Sequence, residues 1–150
     1  MASIAPPARD WPWPTPSRAD RTRRILVVED DTDLSTIVVR IAGALDSDIE
    51  VDWARSAEQA ADLLRSTPYD LVLADHFLAG PVLGAKLVSE CSRLYPDTTL
   101  AMMSALPLRE FVQLAERELP SNVQLLPKPF SAVDLRAFLH AVLDPARCER

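Results

Sequence analysis

Asp70-Leu71-Val72-Leu73-Ala74-Asp75-His76 is the stretch that decides the fold. Four consecutive apolar residues are too few for a helix, and polar neighbours bound them. Such a run reads as a strand buried on both faces. A strand covered on both sides belongs to a parallel sheet between layers of helices. Ile25-Leu26-Val27-Val28 has the same form and ends in Glu29-Asp30-Asp31. Open α/β sheets gather their chemistry at the C-terminal ends of the strands. Two strands ending in carboxylates therefore mark both a fold and a site.

Outward from these strands the pattern alternates. Leu34, Ile37, Val38, Ile41 and Leu45 fall at helical spacing and predict a buried helix face. Ile49–Ala54 reads as a strand. Ser56 with Gln59 forms a capping-box pattern ahead of a helix lined by Ala57, Ala60, Ala61 and Leu64. Leu83, Leu87, Val88, Cys91 and Leu94 line a third helix, and residues 99–103 form a fourth strand, where Met102 and Met103 read as packing residues. Leu108, Phe111, Val112 and Ala115 define a short helix after Pro107, followed by a strand over 123–126. Ser131 and Asp134 cap a last helix buried through Leu135, Phe138, Leu139 and Val142. Five strands alternating with five helices predict parallel strands joined by right-handed crossovers. The expected fold is α/β, a flavodoxin-like doubly wound (βα)5 with strand order 2-1-3-4-5. That order sets the first and third strands side by side and brings Asp30 and Asp75 together.

Composition sets the outer limits. A chain of 150 residues with 48% apolar and 25% charged residues suits one soluble domain with a sizeable core. No apolar stretch is long enough to span a membrane. Cys91 and Cys148 are too few for a disulfide framework or a zinc site. With no secretory pattern at the N-terminus, these features favour the cytoplasm. The net charge of −6 is uneven: residues 1–24 carry five Arg against two Asp, a balance of +3, and the rest carries −9. An acidic body argues against direct binding of nucleic acid. Residues 1–23, with five of the 13 prolines and Trp11-Pro12-Trp13-Pro14, read as a flexible leader. The domain is expected over 24–143, with a short tail over 144–150.

Glu29, Asp30, Asp75, Ser104 and Lys128 all lie at strand ends. Crowded carboxylates repel one another and call for a cation. A hard ion with oxygen ligands, Mg²⁺, suits them. A small hydroxyl and an ammonium beside it can neutralise phosphoryl oxygens, and a carboxylate can act as the nucleophile. Lys128 stands out because the chain has 14 Arg and only two Lys. A Lys between Pro127 and Pro129 suggests a place for a point charge rather than a planar fork.

Ile-Leu-Val-Val-Glu29-Asp30-Asp31, Asp70-Leu-Val-Leu-Ala-Asp75, Ser104-Ala105 and Lys128-Pro129-Phe130 resemble, in order and approximate spacing, response-regulator receiver domains of two-component signalling. The resemblance covers about residues 24–143. It implies that Asp75 is the phosphoacceptor. It further implies that Asp30 binds Mg²⁺ directly, that Glu29 assists through water, and that the backbone carbonyl of Phe77 is another ligand. Ser104 and Lys128 would hold the phosphoryl group, and the Lys128–Pro129 bond would be cis. The donor would be a sensor histidine kinase or a histidine phosphotransfer domain. Signal would pass to a downstream protein through the face of helix 4, strand 5 and helix 5. A homodimer is compatible with this, and the chain would be a stand-alone receiver or a piece of a longer protein. Chemistry would be limited to phosphorylation and dephosphorylation of Asp75, without turnover of a substrate.

Two departures qualify the resemblance. Receivers that switch by rotating an aromatic side chain carry it three residues before the lysine, where this chain has Leu125. The loop after Asp75 reads Leu-Ala-Gly-Pro, where a Pro-Gly pair is common. The alternative reading is a receiver-like interaction module that works without phosphate. A phosphatase of the haloacid-dehalogenase type needs a second Asp two residues after the nucleophile, and that place holds Phe77. His76 reads as an exposed loop residue, Asp31 as a helix cap, and Trp53 as packing at the edge of the second strand.

Overall fold

The computed structural model describes residues 22–78 and 83–143. The leader falls outside these residues except for its last two positions, as do the tail and most of the Leu-Ala-Gly-Pro loop. Five strands, β1 (Arg23–Val28), β2 (Ile49–Ala54), β3 (Leu71–Asp75), β4 (Thr99–Ser104) and β5 (Gln124–Pro127), form one sheet in the order β2-β1-β3-β4-β5. All neighbouring pairs are parallel. Five helices alternate with them: α1 (Thr32–Ala44), α2 (Ala57–Ser66), α3 (Gly84–Leu94), α4 (Leu108–Glu118) and α5 (Ala132–Leu143). This is the flavodoxin-like order expected for the fold.

The sheet divides the core in two. Leu26, Val28, Val72 and Met102 pack with residues of α2, α3 and α4, whereas Ile25, Val27, Leu73 and Met103 pack with residues of α1 and α5. Alternate side chains of one strand enter opposite layers, which is why the central strands read as unbroken apolar runs.

Caps set the helix starts. Asp31 accepts from the N–H groups of Asp33 and Leu34 at 2.9 and 3.1 Å, so it opens α1 as expected. Ser56 accepts from Gln59 N–H at 3.1 Å, and the Gln59 side chain accepts in return from Arg55 N–H at 2.8 Å. Ser131 and Asp134 exchange bonds of 3.0 and 3.1 Å at the start of α5.

Four expected core residues lie outside the core. Ile37, Leu83, Leu108 and Val112 are 52, 47, 61 and 38% exposed. The reason is geometric. A helix lying on a sheet buries only a stripe, and Leu83 and Leu108 stand at helix starts, beyond the sheet's cover. His76 reverses the opposite way. Its N–H donates to Met103 C=O at 2.8 Å, extending the β3–β4 ladder, and its side chain is buried.

Candidate functional site

The ladder places the site residues on one rim. Val28 pairs with Ala74, Asp75 with Met103, and Ser104 with Pro127, so the strands end at nearly the same height. Glu29 follows β1, Asp75 ends β3, Ser104 ends β4 and Lys128 follows β5. The Lys128–Pro129 peptide is cis. Lys128 Nζ reaches Glu29 Oε2 at 3.1 Å and Asp75 Oδ2 at 3.2 Å. One lysine thus bridges two carboxylates that enter from different strands.

Burial makes this arrangement unlike a surface salt bridge. Glu29 is 1% and Asp75 5% exposed, and Ser104 is fully covered. Burial pushes the Glu29 carboxyl up to about 7, and the charge on Asp75 pushes the same way. The N–H of Asp31, which Glu29 accepts at 3.1 Å, and the Lys128 ammonium pull it back. Burial disfavours the Lys128 ammonium, but the carboxylates of Asp75 and Glu29 outweigh it and raise its pKa. The cluster is short of positive charge: Glu29 ionises reluctantly while Lys128 is held protonated.

Carboxylate oxygens of Glu29, Asp30 and Asp75 all lie within 4.8 Å of one another. Asp30 is exposed and makes no hydrogen bond or ion pair among the described residues. An all-oxygen set with one exposed, unpaired carboxylate fits Mg²⁺, which keeps several waters when bound. Phe77 stands two residues beyond Asp75 and is 52% exposed. Ser104 Oγ accepts from Leu106 N–H at 3.1 Å, so in this state the hydroxyl serves the following turn. Leu125 lies opposite Met102 and packs, half-buried, on the α2–α3–α4 side.

Three features of the site escaped the sequence pattern. Trp53 Nε1 donates to the carbonyl of Glu29 at 2.7 Å, and Arg55 lies over its ring at 4.6 Å. Gly84 opens α3 so close to β3 that a Cβ there would collide with the Asp75 carbonyl oxygen. A glycine inside an apolar helical pattern was the only signal of that approach. His76 Nδ1 is buried without a partner among the described residues, its ring 4.3 Å from that of Phe77. Burial pulls the His76 pKa down, against the charges of Asp75 and Glu118.

Residues 25–140 match the family model of the response regulator receiver domain. The chain belongs to the response-regulator receiver family. Among solved structures it is similar to the signal receiver domain of an HD domain-containing protein from Pseudomonas fluorescens Pf-5, with 25% identity and a TM-score of 0.72 over 85% of this chain and 99% of that one. The non-phosphorylated HemR receiver domain from Leptospira biflexa shares 28% identity, with a TM-score of 0.66 over 81% of this chain and 94% of that one. NtrX from Brucella abortus, solved in complex with ADP, shares 26% identity with a TM-score of 0.71; the match covers 85% of this chain but 28% of that one. Among curated proteins no sequence matches. Within the described residues no helix is long and apolar enough to cross a membrane.

Proposed function

We propose that this receiver domain accepts a phosphoryl group on Asp75. The observation that carries the reading is Lys128, whose ammonium touches both Asp75 and Glu29 at 3.2 and 3.1 Å in a buried, oxygen-lined site. A histidine kinase or histidine phosphotransfer domain is the donor. An Asp75 carboxylate oxygen attacks the phosphorus of phosphohistidine in line. The new P–O bond forms as the P–N bond breaks, and the leaving imidazole nitrogen recovers a proton from solvent. Lys128 meets the developing charge on one phosphoryl oxygen, and Ser104 gives up its turn bond to donate to another. Asp30, Asp75, the carbonyl of Phe77 and, through water, Glu29 would hold Mg²⁺. When bound, Mg²⁺ offsets negative charge that Lys128 alone leaves uncompensated.

Movement of Ser104 toward the phosphoryl group would bias β4, α4 and β5 between two arrangements. The output is altered binding of a partner protein on the α4–β5–α5 face, in a cytoplasmic domain spanning 24–143. Incubation with a small-molecule phosphodonor and Mg²⁺ tests the assignment: the parent chain takes up label and Asp75→Ala does not. Equal labelling of both would refute it.

Leu125 supports a second reading, a module that binds its partner without phosphate. No aromatic side chain stands there to swing between buried and exposed positions. In that case Asp75→Asn leaves partner affinity unchanged with and without phosphodonor.

A further inference from the structure

The acidic loop after β1 is fastened at nearly every polar atom of Glu29. Its N–H donates to Ala54 C=O at 3.0 Å, its Oε1 accepts from Asp31 N–H at 3.1 Å, and its Oε2 accepts from Lys128 at 3.1 Å. The remaining group, the backbone carbonyl, accepts from the indole N–H of Trp53 at 2.7 Å. That bond crosses from the edge strand β2 to the end of β1, where the regular ladder has stopped. The Arg55 guanidinium, 4.6 Å above the ring, covers the indole and opposes its rotation.

The carbonyl of Glu29 and the N–H of Asp30 belong to one planar trans peptide, so they point in opposite directions. Holding the carbonyl toward β2 therefore turns the Asp30 N–H toward β3 and fixes where the Asp30 side chain leaves the chain. Asp31 is fixed in turn as the cap of α1. Asp30 stands between two immobilised residues, exposed and unpaired among the described residues, within 4.8 Å of Glu29 and Asp75 carboxylate oxygens. Without the indole bond, this peptide plane loses the one side-chain hydrogen bond it makes among the described residues.

We infer that Trp53 is a positioning residue for the cation site: its N–H sets the Glu29–Asp30 peptide so that Asp30 is presented to a divalent ion already aligned. The inference rests on the reading of the rim as a Mg²⁺-assisted phosphoacceptor site. Trp53 does not touch the ion or the phosphoryl group. Its contribution is preorganisation, and removing it should weaken the ion's binding without abolishing the chemistry.

The test uses the full 150-residue chain with Trp11→Phe and Trp13→Phe, so that Trp53 is the single tryptophan and is excited selectively over the two tyrosines. Mg²⁺ alone is the probe. Titration should move Trp53 emission along a saturable curve, and Asp30→Asn should erase the response. By calorimetry, Trp53→Phe should weaken Mg²⁺ binding roughly tenfold, as expected for loss of one hydrogen bond that aligns a ligand. Phosphoryl labelling of Trp53→Phe should need correspondingly more Mg²⁺ yet reach the parent rate at saturation. A purely packing role would leave the Mg²⁺ requirement where it was.

If the parent binds Mg²⁺ and labels Asp75 but Trp53→Phe binds the ion equally well, the inference fails and the functional reading stands. If the parent binds no Mg²⁺, the metal reading of the site fails first. Should Trp53→Phe not fold, the emission titration still decides. Calorimetric Mg²⁺ binding that needs Asp30 but leaves Trp53 emission unmoved would overturn the inference.

Discussion

Asp70 and Asp75 stand at opposite ends of the same strand, and they are buried alike, at 6 and 5% exposed. Their surroundings differ. Asp70 accepts the N–H of Arg24 at 2.9 Å, while its own N–H donates to Arg24 C=O at 2.8 Å and its C=O accepts from Thr99 at 2.9 Å. It stitches β1, β3 and β4 together. Nearby, Tyr69 donates to Asp52 at 2.6 Å, and Arg24 pairs with Glu50 and Asp52 at 2.6 and 3.6 Å among half-exposed side chains. At the other end, Asp75 meets one ammonium, shared with a more deeply buried Glu29. Both ends are rich in acids. Arg24, Tyr69 and backbone N–H groups meet those below, whereas Glu29 and Asp75 above share a single ammonium. It is how the carboxylates are partnered, rather than their number or their burial, that separates the two ends.

A large effect should come from the lysine that serves the upper end. Lys128→Met should slow phosphoryl labelling about a hundredfold or more, the usual cost of deleting a group that meets transition-state charge. Lys128→Arg should not restore the rate, because a planar fork does not replace a point charge between two carboxylates. Labelling at the parent rate in Lys128→Met would erase the distinction between the two ends.

Exchanging the aspartates sharpens the same contrast. Asp70→Ala should lower unfolding free energy by about 1–3 kcal/mol, since it strands the Arg24 N–H, while labelling of Asp75 persists. Asp75→Asn should abolish labelling and leave the fold at least as stable, because it removes a crowded charge. Urea denaturation paired with labelling reads both outcomes.

Gly84→Ala tests how closely α3 approaches the Asp75 backbone. The added methyl must displace helix or strand, at about 1–3 kcal/mol, and denaturation should show the loss. A neutral result would mean that the helix start is not seated on the strand end.

A further contrast is the pH dependence of Glu29. Its folded-state value of about 7 lies above the ordinary 4.5. The stability it contributes is therefore fully present below about 4.5 and is lost as pH rises through about 7. Glu29→Gln should match the parent at low pH and become the more stable of the two above neutrality. Parallel stability curves for the two would show that Glu29 is not desolvated.

Much of this architecture was legible because period and burial agree. Central strands covered on both faces write unbroken apolar runs, and the acids that end them are visible as a break in hydropathy. The placement of Asp30, Asp75, Ser104 and Lys128 at strand ends could be read for that reason. Contacts across the sequence could not. Nothing local to Trp53 indicates a bond to Glu29, 24 positions away. Nor does any spacing show that Lys128 touches Glu29 as well as Asp75. Ile37 and Val112 misled because periodicity reports which side of a helix is apolar, not how wide a stripe the sheet covers. His76 misled because the ladder continues one residue past the strand and draws it under α3.

The most direct test of the central claim is to locate the phosphoryl group chemically. After incubation with a phosphohistidine donor and Mg²⁺, borohydride reduces an aspartyl phosphate to homoserine, which peptide sequencing by mass spectrometry can place. The account predicts homoserine at position 75 and nowhere else. Homoserine at another carboxylate, or none at position 75 with Mg²⁺ and an active donor present, would contradict it.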